Sequence, residues 1–490
     1  MRNNDKYTYF PYKEKYKKRR HGKRKAKKHF FSIFILLCLL ILLIFYIQKN
    51  FSVVLENLFS IQTASLNSTN SNSISNNLNN NSTAQNTLNN STSYTLNTNQ
   101  SVQESIDLTS NLQVSMSVYS KSAILMDSST GKIMYSKNAL DKMYPASTTK
   151  VMTAILTLEN CSLDEIVTVS KNATLIPPTY THATLKEGEQ LSVKDLLYTL
   201  MLPSANDSAI ALAEYIGGSV ENFSTMMNNK AKEIGCTNTN FVNPNGIHDE
   251  NHYSCAYDLA LIGKYAMKND TFREVVKTTT YELPANETMG IETRYFRTTN
   301  DLIRKSSEYY YPYCTGIKTG YTDPAENCII ASSKKDGLEL IAVILGGEKT
   351  PEGKSARNID CISLFNYGFD SYSLQTVCFA NSSIKSIDIQ NATPETENLN
   401  LIAKDELTAL IPKDSSISDI EPVIDLRQDL KAPIQKGDNV GKVTYVIDDI
   451  SYSSDLIAGS DVQPKSSLFT YLSILGVIII LMLIYKLTKK

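Results

Sequence analysis

Residues 144–160 read YPASTTKVMTAILTLEN and place Ser147 three residues before Lys150. The apolar residues after the lysine recur at the spacing of one helix face, and Pro145 suits a first helical turn. We therefore predict Ser147 near a helix N-terminus, with Lys150 one turn further along the same face. At that spacing the lysine amine can take the hydroxyl proton, and the positive helix end favours developing negative charge.

Taken alone, this S-x-x-K pattern is a weak signal, and a helix cap is the simpler explanation of Ser147. The same pattern occurs again at Ser129, Ser332 and Ser382. The interpretation therefore depends on what else the chain contains.

Two further motifs follow in the chain. Ser204 and Asn206 lie in LPSAND, directly before the helical run AIALAEYIGG, where a helix cap is again the alternative. Lys318, Thr319 and Gly320 lie in GIKTGYT, which alone would indicate a turn beside a strand. In this order, S-x-x-K, S-x-N and K-T-G match the signature of penicillin-binding proteins and class A β-lactamases.

The residues around these motifs resemble the serine D-alanyl-D-alanine carboxypeptidases, the low-molecular-mass penicillin-binding proteins. The resemblance rests on GKIMYSKNALDKMYPASTTK, LKEGEQLSVKDLLYTLMLPSANDSAIALAEYIGG, FVNPNGIHDENHYSCAYDLALIGKYA and GIKTGYT. It covers residues 115–380 and, less sharply, 381–455. It implies a mixed α/β transpeptidase-like domain, with an antiparallel sheet flanked by helices, and a small all-β C-terminal domain. One departure follows K-T-G, where Ala325 precedes Glu326 and the family usually has a glycine.

The resemblance implies site residues of two kinds. The catalytic residues that it implies are Ser147 as acylated nucleophile, Lys150 as its base and Ser204 as proton relay to the leaving amine. The substrate-binding residues that it implies are Asn206 for the amide, Lys318 and Thr319 for the terminal carboxylate, Gly320, and Tyr321. The backbone N–H groups of Ser147 and Tyr321 would form the oxyanion hole.

The chemistry of these residue types supports the assignment. A serine hydroxyl is a poor nucleophile until a base takes its proton, and lysine is a base only when it is neutral. Burial and the nearby charge of Lys318 would both lower the pKa of Lys150. The same Lys318 cation would attract a substrate that ends in a free carboxylate.

The implied function is a membrane-anchored carboxypeptidase that removes the terminal D-alanine from peptidoglycan stem pentapeptides through an acyl-enzyme on Ser147. β-Lactam antibiotics would be inhibitors, and no cofactor or metal is expected. One alternative is a β-lactamase-like hydrolase, although we expect its deacylating glutamate, in an E-x-x-x-N pattern between the second and third motifs, to be missing. The other alternative is a catalytically idle wall-binding protein of the same fold, which the intact motifs disfavour.

Charge and hydropathy indicate a membrane protein. Of the 490 residues 42% are hydrophobic, which excludes wholesale disorder. The net charge of −1 leaves no basic excess for binding nucleic acid. Residues 1–29 nevertheless carry thirteen Lys or Arg against two Asp or Glu. Residues 30–47 and 468–485 are uncharged and long enough to span a bilayer. A cleaved signal peptide and an amphipathic surface helix are the respective alternatives.

The positive-inside rule then orients the chain in a bacterial cytoplasmic membrane. The basic segment 1–29 and the tail 486–490 are predicted in the cytoplasm. Residues 48–112, rich in Asn, Ser and Thr, form a disordered tether. Outside the membrane we expect a catalytic domain at 113–380, a β domain at 381–455 and a linker at 456–467.

Several local elements can also be predicted. Residues 122–136 read as a β-hairpin, 328–332 and 338–345 as strands, and 357–368 as a helical segment that Gly368 terminates as the C′ residue. Residues 386–389, 407–411, 423–426 and 441–447 are short strands, with a turn at 436–439. Seven cysteines outside the predicted spans show no metal or disulfide spacing, so buried free thiols are expected, with a single Cys314–Cys328 bridge left open.

Overall fold

The computed structural model describes residue 116 and residues 118–465 and 468–488. The predicted cytoplasmic segment, first membrane span and tether lie outside the described residues. The fold therefore bears on the predicted catalytic domain, the β domain and the C-terminal span.

The first part of the described chain contains a large antiparallel sheet and two small hairpins. Its strands are β1 (Ser122–Asp127), β2 (Ile133–Lys137), β3 (Ile166–Thr168), β4 (Gln190–Ser192), β5 (Thr280–Leu283), β6 (Arg294–Arg297), β7 (Cys314–Thr322), β8 (Glu326–Lys335) and β9 (Leu338–Gly347). The large sheet has the order β2-β1-β9-β8-β7, while β3 pairs with β4 and β5 with β6. β7 is thus an edge strand of the large sheet.

The predicted hairpin at 122–136 is confirmed, since β1 and β2 pair in antiparallel register. The Asp127 carboxylate stabilises the turn by accepting a hydrogen bond from the Thr130 N–H at 2.7 Å. Gly131 closes the turn with a φ of +85°, a conformation that favours glycine. The predicted strands at 328–332 and 338–345 are also confirmed, as the centres of β8 and β9.

Helices cover both faces of the large sheet, which explains why β1 and β9 are almost continuously apolar. The helices of this part are α1 (Lys150–Asn160), α2 (Val193–Met201), α3 (Asn206–Gly217), α4 (Val220–Ile234), α5 (Ala256–Ala266), α6 (Asp270–Lys277) and α7 (Ala356–Ser371). One core packs the six helices α1 through α6 against one face of the sheet, and a second core packs α7 against the opposite face. The predicted site motifs lie on the side of the first core.

The predicted helix at 357–368 is present but longer, because α7 continues to Ser371. Gly368 lies inside the helix and does not end it, so its predicted role as a terminator is wrong. A Cβ at Gly368 would lie 2.5 Å from Leu340 Cδ1 and 3.0 Å from Leu125 Cδ2. The glycine therefore allows close packing of α7 on the sheet.

The C-terminal part is all β, as predicted. Its strands are β10 (Tyr372–Cys378), β11 (Ser383–Asp388), β12 (Asn398–Ala403), β13 (Leu407–Pro412), β14 (Val423–Leu426), β15 (Asn439–Ile447) and β16 (Ile450–Ala458). Five of them form a sheet in the order β11-β12-β16-β15-β14, and β10 pairs with β13. The predicted strands correspond to β11, β13, β14 and β15, whereas β10, β12 and β16 were not predicted.

The last described element is the helix α8 (Leu468–Thr488). Residues Tyr471–Thr488 have a mean hydropathy of 2.2 and are long enough to cross a membrane. Within the described part of the chain this is the only such helix, so a second transmembrane helix is not established.

The seven described cysteines are free thiols, and six of them are buried, as expected of small hydrophobic side chains. The Cys314–Cys328 bridge does not form. In the β7–β8 register Cys314 lies opposite Ser333, and Cys328 lies opposite Gly320. Six residues of strand correspond to about 20 Å, well beyond the reach of a disulfide.

Candidate active site

Ser147 lies in a short 3-10 helix, Ala146–Thr149, that leads directly into α1. No side chain caps either helix, so the helix-cap explanation of Ser147 is wrong. Ala146 has a φ of +47°, a strained conformation for a residue with a Cβ. The backbone is therefore held in an unusual shape immediately before the serine.

Lys150, the first residue of α1, is completely buried. Its Nζ lies 2.9 Å from Ser147 Oγ, 2.8 Å from Asn206 Oδ1 and 2.6 Å from the Asn245 carbonyl oxygen. Burial, followed by the charge of Lys318, lowers the pKa of Lys150 well below its usual value, against a smaller opposite effect of Asp207.

An uncharged Lys150 amine can satisfy all three neighbours of its Nζ. A neutral amine has two N–H groups and one lone pair, and two of the neighbours are oxygens that can only accept. The amine can donate to Asn206 Oδ1 and to the Asn245 carbonyl, which leaves its lone pair for the Ser147 hydroxyl. This arrangement is suited to removing the hydroxyl proton.

Ser204 and Asn206 border the same cleft at the start of α3. Neither side chain caps this helix, whose cap position is Ala205, so the capping alternative is wrong here too. Asn206 donates through Nδ2 to the Thr181 carbonyl at 2.9 Å while its Oδ1 contacts Lys150. Ser204 Oγ is buried and has no hydrogen-bond partner in the described part of the chain, so it is free to bond with a ligand.

Lys318, Thr319 and Gly320 lie within β7, so the alternative of a turn is wrong. Gly320 is required by a close approach, since a Cβ there would lie 2.9 Å from the Ser147 backbone nitrogen. Lys318 is 1% exposed and donates to the Thr319 carbonyl at 2.8 Å. Burial, followed by the charge of Arg357, lowers the pKa of Lys318 to about 7.

The side chains of Thr319 and Tyr321 line the cleft. Thr319 Oγ1 forms a 2.6 Å hydrogen bond with Thr299 Oγ1. Tyr321 is 59% exposed, and its hydroxyl donates to Asp323 Oδ1 at 2.9 Å. These residues border a cleft of about 570 Å³ in front of Ser147.

The eight predicted site residues come together around this cleft. Six of them line it, namely Ser147, Ser204, Asn206, Thr319, Gly320 and Tyr321. Lys150 and Lys318 are buried and do not line the cleft, and the charge of Lys318 helps to lower the pKa of Lys150.

Other residues of the site were not predicted. Asn245 acts through a backbone carbonyl, which any residue type can supply. Arg357 lies in the first turn of α7, on the far face of the sheet. It nevertheless lines the cleft and has a buried Nε without a partner among the described residues. Thr181 and Thr299 lie in loops without a recognisable motif. Only Asn245 lay within a stretch that carried the family resemblance.

His252 supports the loop that carries Asn245. Its Nε2 lies 2.8 Å from Thr149 Oγ1, and its Nδ1 accepts a hydrogen bond from the Val242 N–H at 3.1 Å. Burial is the main reason that the pKa of His252 is lowered to about 4. With Nδ1 as acceptor, the neutral ring donates through Nε2 to the threonine. Gly246 lets the same loop pack against the backbone of Ala146, because a Cβ at position 246 would lie 1.9 Å from the Ala146 carbonyl oxygen.

The departure at Glu326 leaves the β7–β8 hairpin intact. Thr322 and Glu326 are paired in regular register, and Glu326 has a φ of +57°, the conformation that favours glycine. The Glu326 carboxylate also forms an ion pair with Lys121. The wall of the cleft next to K-T-G is thus formed in spite of the substitution.

The expectation about the E-x-x-x-N pattern is wrong as a statement of sequence, because Glu282 and Asn286 provide one match between the second and third motifs. Glu282 is, however, an exposed residue of β5 and does not line the cleft. Within the described residues, no group of three His, Cys, Asp or Glu side chains is placed to hold a metal ion.

Comparison with known proteins agrees with this architecture. Residues 107–349 match the D-alanyl-D-alanine carboxypeptidase family model, and residues 372–464 match the penicillin-binding protein 5 C-terminal domain. D-alanyl-D-alanine carboxypeptidase DacF of Bacillus subtilis is 31% identical over 357 residues, covering 72% of this chain and 88% of the relative. DacC of Escherichia coli is 31% identical over 339 residues, covering 67% and 80%.

A solved structure of penicillin-binding protein 5 from Haemophilus influenzae aligns with a TM-score of 0.55 at 27% identity. The alignment covers 71% of this chain and 98% of that one. The chain therefore belongs to the D-alanyl-D-alanine carboxypeptidases, a family of serine peptidases that are low-molecular-mass penicillin-binding proteins.

Proposed function

We propose that the chain is a membrane-anchored enzyme that removes the terminal D-alanine from peptidoglycan stem pentapeptides through an acyl-enzyme on Ser147. The observation that carries the proposal is the position of the buried Lys150 amine, 2.9 Å from the Ser147 hydroxyl. β-Lactam antibiotics would acylate the same oxygen.

In the first step Ser147 Oγ attacks the carbonyl of the penultimate D-alanine, and the Lys150 amine takes the hydroxyl proton. The N–H groups of Ser147 and Tyr321 stabilise the resulting oxyanion. Such an oxyanion hole needs the backbone of Ser147 to lie against strand β7, next to Tyr321. The close approach of Gly320 to the Ser147 nitrogen supports this arrangement.

Collapse of the intermediate breaks the peptide bond, and the leaving amine of D-alanine takes up a proton. Ser204 relays this proton from Lys150, a role supported by its buried hydroxyl beside the cleft. A water molecule then attacks the ester while Lys150 again takes a proton, so that the shortened peptide leaves and Ser147 is restored.

The terminal carboxylate of the substrate binds at the cationic end of the cleft. Lys318 and Thr319 form this end, and Arg357 adds a second cation that lies within reach of the cleft. Asn206, held by Lys150 and Thr181, has a remaining amide hydrogen for the peptide backbone of the substrate.

Two measurements test the proposal. Intact-mass analysis after penicillin should show one adduct on the peptide that contains Ser147, and wild type should release D-alanine from a stem-peptide mimic. Ser147→Ala should lose both activities. Ser129→Ala is a matched control, because Ser129 belongs to another S-x-x-K match, on the β1–β2 turn and outside the cleft. An adduct on Ser204, or none, would refute the assignment.

The proposed localisation places the catalytic domain outside the cytoplasmic membrane, with both termini inside. The apolar helix α8 and the basic residues 1–29 support this topology. Protease added to intact protoplasts should digest the central part and spare both ends. Protection of the catalytic domain would contradict the orientation.

A further inference from the structure

The cleft is electrically asymmetric along β7. Two cationic groups lie at the level of Thr319 and Gly320. Lys318 directly precedes Thr319 in the strand. Arg357 lies near the carbonyl of Cys328, which is the residue opposite Gly320 in β8. Asp323 follows the last residue of the strand, four positions beyond Thr319. It is the one carboxylate among the described residues that line the cleft.

A peptide can bind along this strand because β7 is an edge strand, with the cleft beside its open edge. A substrate whose terminal carboxylate lies near Thr319 would run antiparallel to β7. Its preceding residues would then pass Tyr321 and approach Asp323. Four strand residues span about 13 Å, which suits the distance from a terminal carboxylate to the extended side chain of the third residue from the end.

The Asp323 carboxylate is available for such a contact. It accepts a hydrogen bond from the Tyr321 hydroxyl at 2.9 Å, and within the described part of the chain it forms no ion pair. The neighbouring carboxylate of Glu326 is different, because Lys121 neutralises it. Asp323 therefore leaves an unneutralised negative charge at the end of the cleft opposite the carboxylate-binding cations.

We propose that Asp323 binds a free side-chain amine on the third residue from the substrate's carboxyl terminus. The preferred substrate class would then be stem peptides with a diamino acid whose side-chain amine is uncapped. This inference rests on the proposed function, since it concerns the same cleft and the same direction of the peptide.

The test compares two peptides, Nα-acetyl-L-lysyl-D-alanyl-D-alanine and its Nα,Nε-diacetyl counterpart, by kcat/KM for release of D-alanine. The full-length protein in detergent should prefer the free amine by up to about fivefold at low ionic strength, as expected of a solvent-exposed ion pair. The ratio of the two kcat/KM values should fall towards one in 1 M salt, because mobile ions screen exposed charges.

The variant Asp323→Asn should lose the preference, and Asp249→Asn should keep it, since Asp249 is an exposed carboxylate outside the cleft lining. A penicillin adduct on each variant shows that its active site is folded. If Asp323→Asn forms no adduct, the salt dependence of the wild-type preference decides the question.

The outcomes separate this inference from the proposed function. Equal rates on both peptides by wild type, a preference that survives 1 M salt, or a preference retained by Asp323→Asn would overturn the role of Asp323 alone. Failure of wild type to release D-alanine from either peptide, together with the absence of a penicillin adduct, would refute the proposed function and this inference with it.

Discussion

Replacing Lys318 with methionine should stabilise the folded protein and weaken binding of the substrate carboxylate. Lys318 is 1% exposed, and no carboxylate pairs with it in the part of the chain that the structure describes. An unfolded lysine holds its proton up to a pH near 10.5, whereas burial and the charge of Arg357 lower the pKa of folded Lys318 to about 7.

The magnitude follows from the difference in proton binding. Between pH 7 and 10.5 the unfolded chain binds more protons than the folded protein, so the stability of wild type rises with pH. At pH 7 this shift destabilises the folded state by about 4 kcal/mol, and at pH 9 by about 2 kcal/mol. Methionine carries no proton and is close to lysine in length, so the variant should escape this penalty.

The assay is thermal unfolding of the full chain in detergent at several pH values. Part of the gain is lost because methionine cannot replace the hydrogen bond from Lys318 to the Thr319 carbonyl. The pH dependence is therefore the cleaner readout. The variant's advantage in melting temperature should shrink by about 4 to 8 °C between pH 7 and 9.

Lys442→Met is the matched control, since Lys442 is an exposed residue of β15 and should show no such trend. An advantage of Lys318→Met that stays constant with pH would show that Lys318 is charged in the folded protein at pH 9. It would then refute the reasoning that burial holds the amine near neutrality.

Three further outcomes are expected. Lys150→Arg keeps a charge that cannot be lost near neutral pH, so penicillin acylation should fall by about 10² to 10⁴, while Lys318→Arg should cost far less. Acylation of Lys150→Arg within a few-fold of wild type would exclude lysine as the base. Gly320→Ala should slow acylation at least tenfold and also lower the melting temperature, because its Cβ would lie 2.9 Å from the Ser147 backbone nitrogen, which would have to move; unaltered acylation would show that this contact is unimportant. The free energy of unfolding of wild type, measured in urea, should fall between pH 6.5 and 4, since only the unfolded histidine takes up a proton there. His252→Gln should reduce this fall, and an equal pH dependence of the unfolding free energy in both proteins would contradict the reasoning.

The sequence was sufficient to place the groups whose chemistry depends on residue type. A hydroxyl, an amine and an amide at fixed spacing indicated Ser147, Lys150 and Asn206, and these side chains are in contact through the lysine. Apolar runs likewise indicated the hairpin β1–β2 and the strands β8 and β9. Such patterns can be read because only a few residue types satisfy them.

Features that depend on the backbone or on distant contacts could not be read in this way. The carbonyl of Asn245 contacts Lys150 across 95 residues of chain, and its residue type gives no hint of this. Gly368 resembled a helix terminator, and only the packing of α7 on Leu340 shows why a glycine is needed. Arg357 reaches the cleft from the opposite face of the sheet, which a sequence pattern does not reveal.

The arrangement of charges shows how binding and chemistry can depend on different lysines. Burial is the largest cause of the lowered pKa of Lys150, and the charge of Lys318 lowers it further. Lys318, with a pKa of about 7, changes charge in the range where the enzyme would work. A bound carboxylate would favour the protonated form of Lys318, and that charge in turn disfavours a proton on Lys150. In the proposed function the bound substrate therefore favours the uncharged Lys150 amine that accepts the Ser147 proton. A rise in pH through the pKa of Lys318 would weaken binding of the substrate carboxylate.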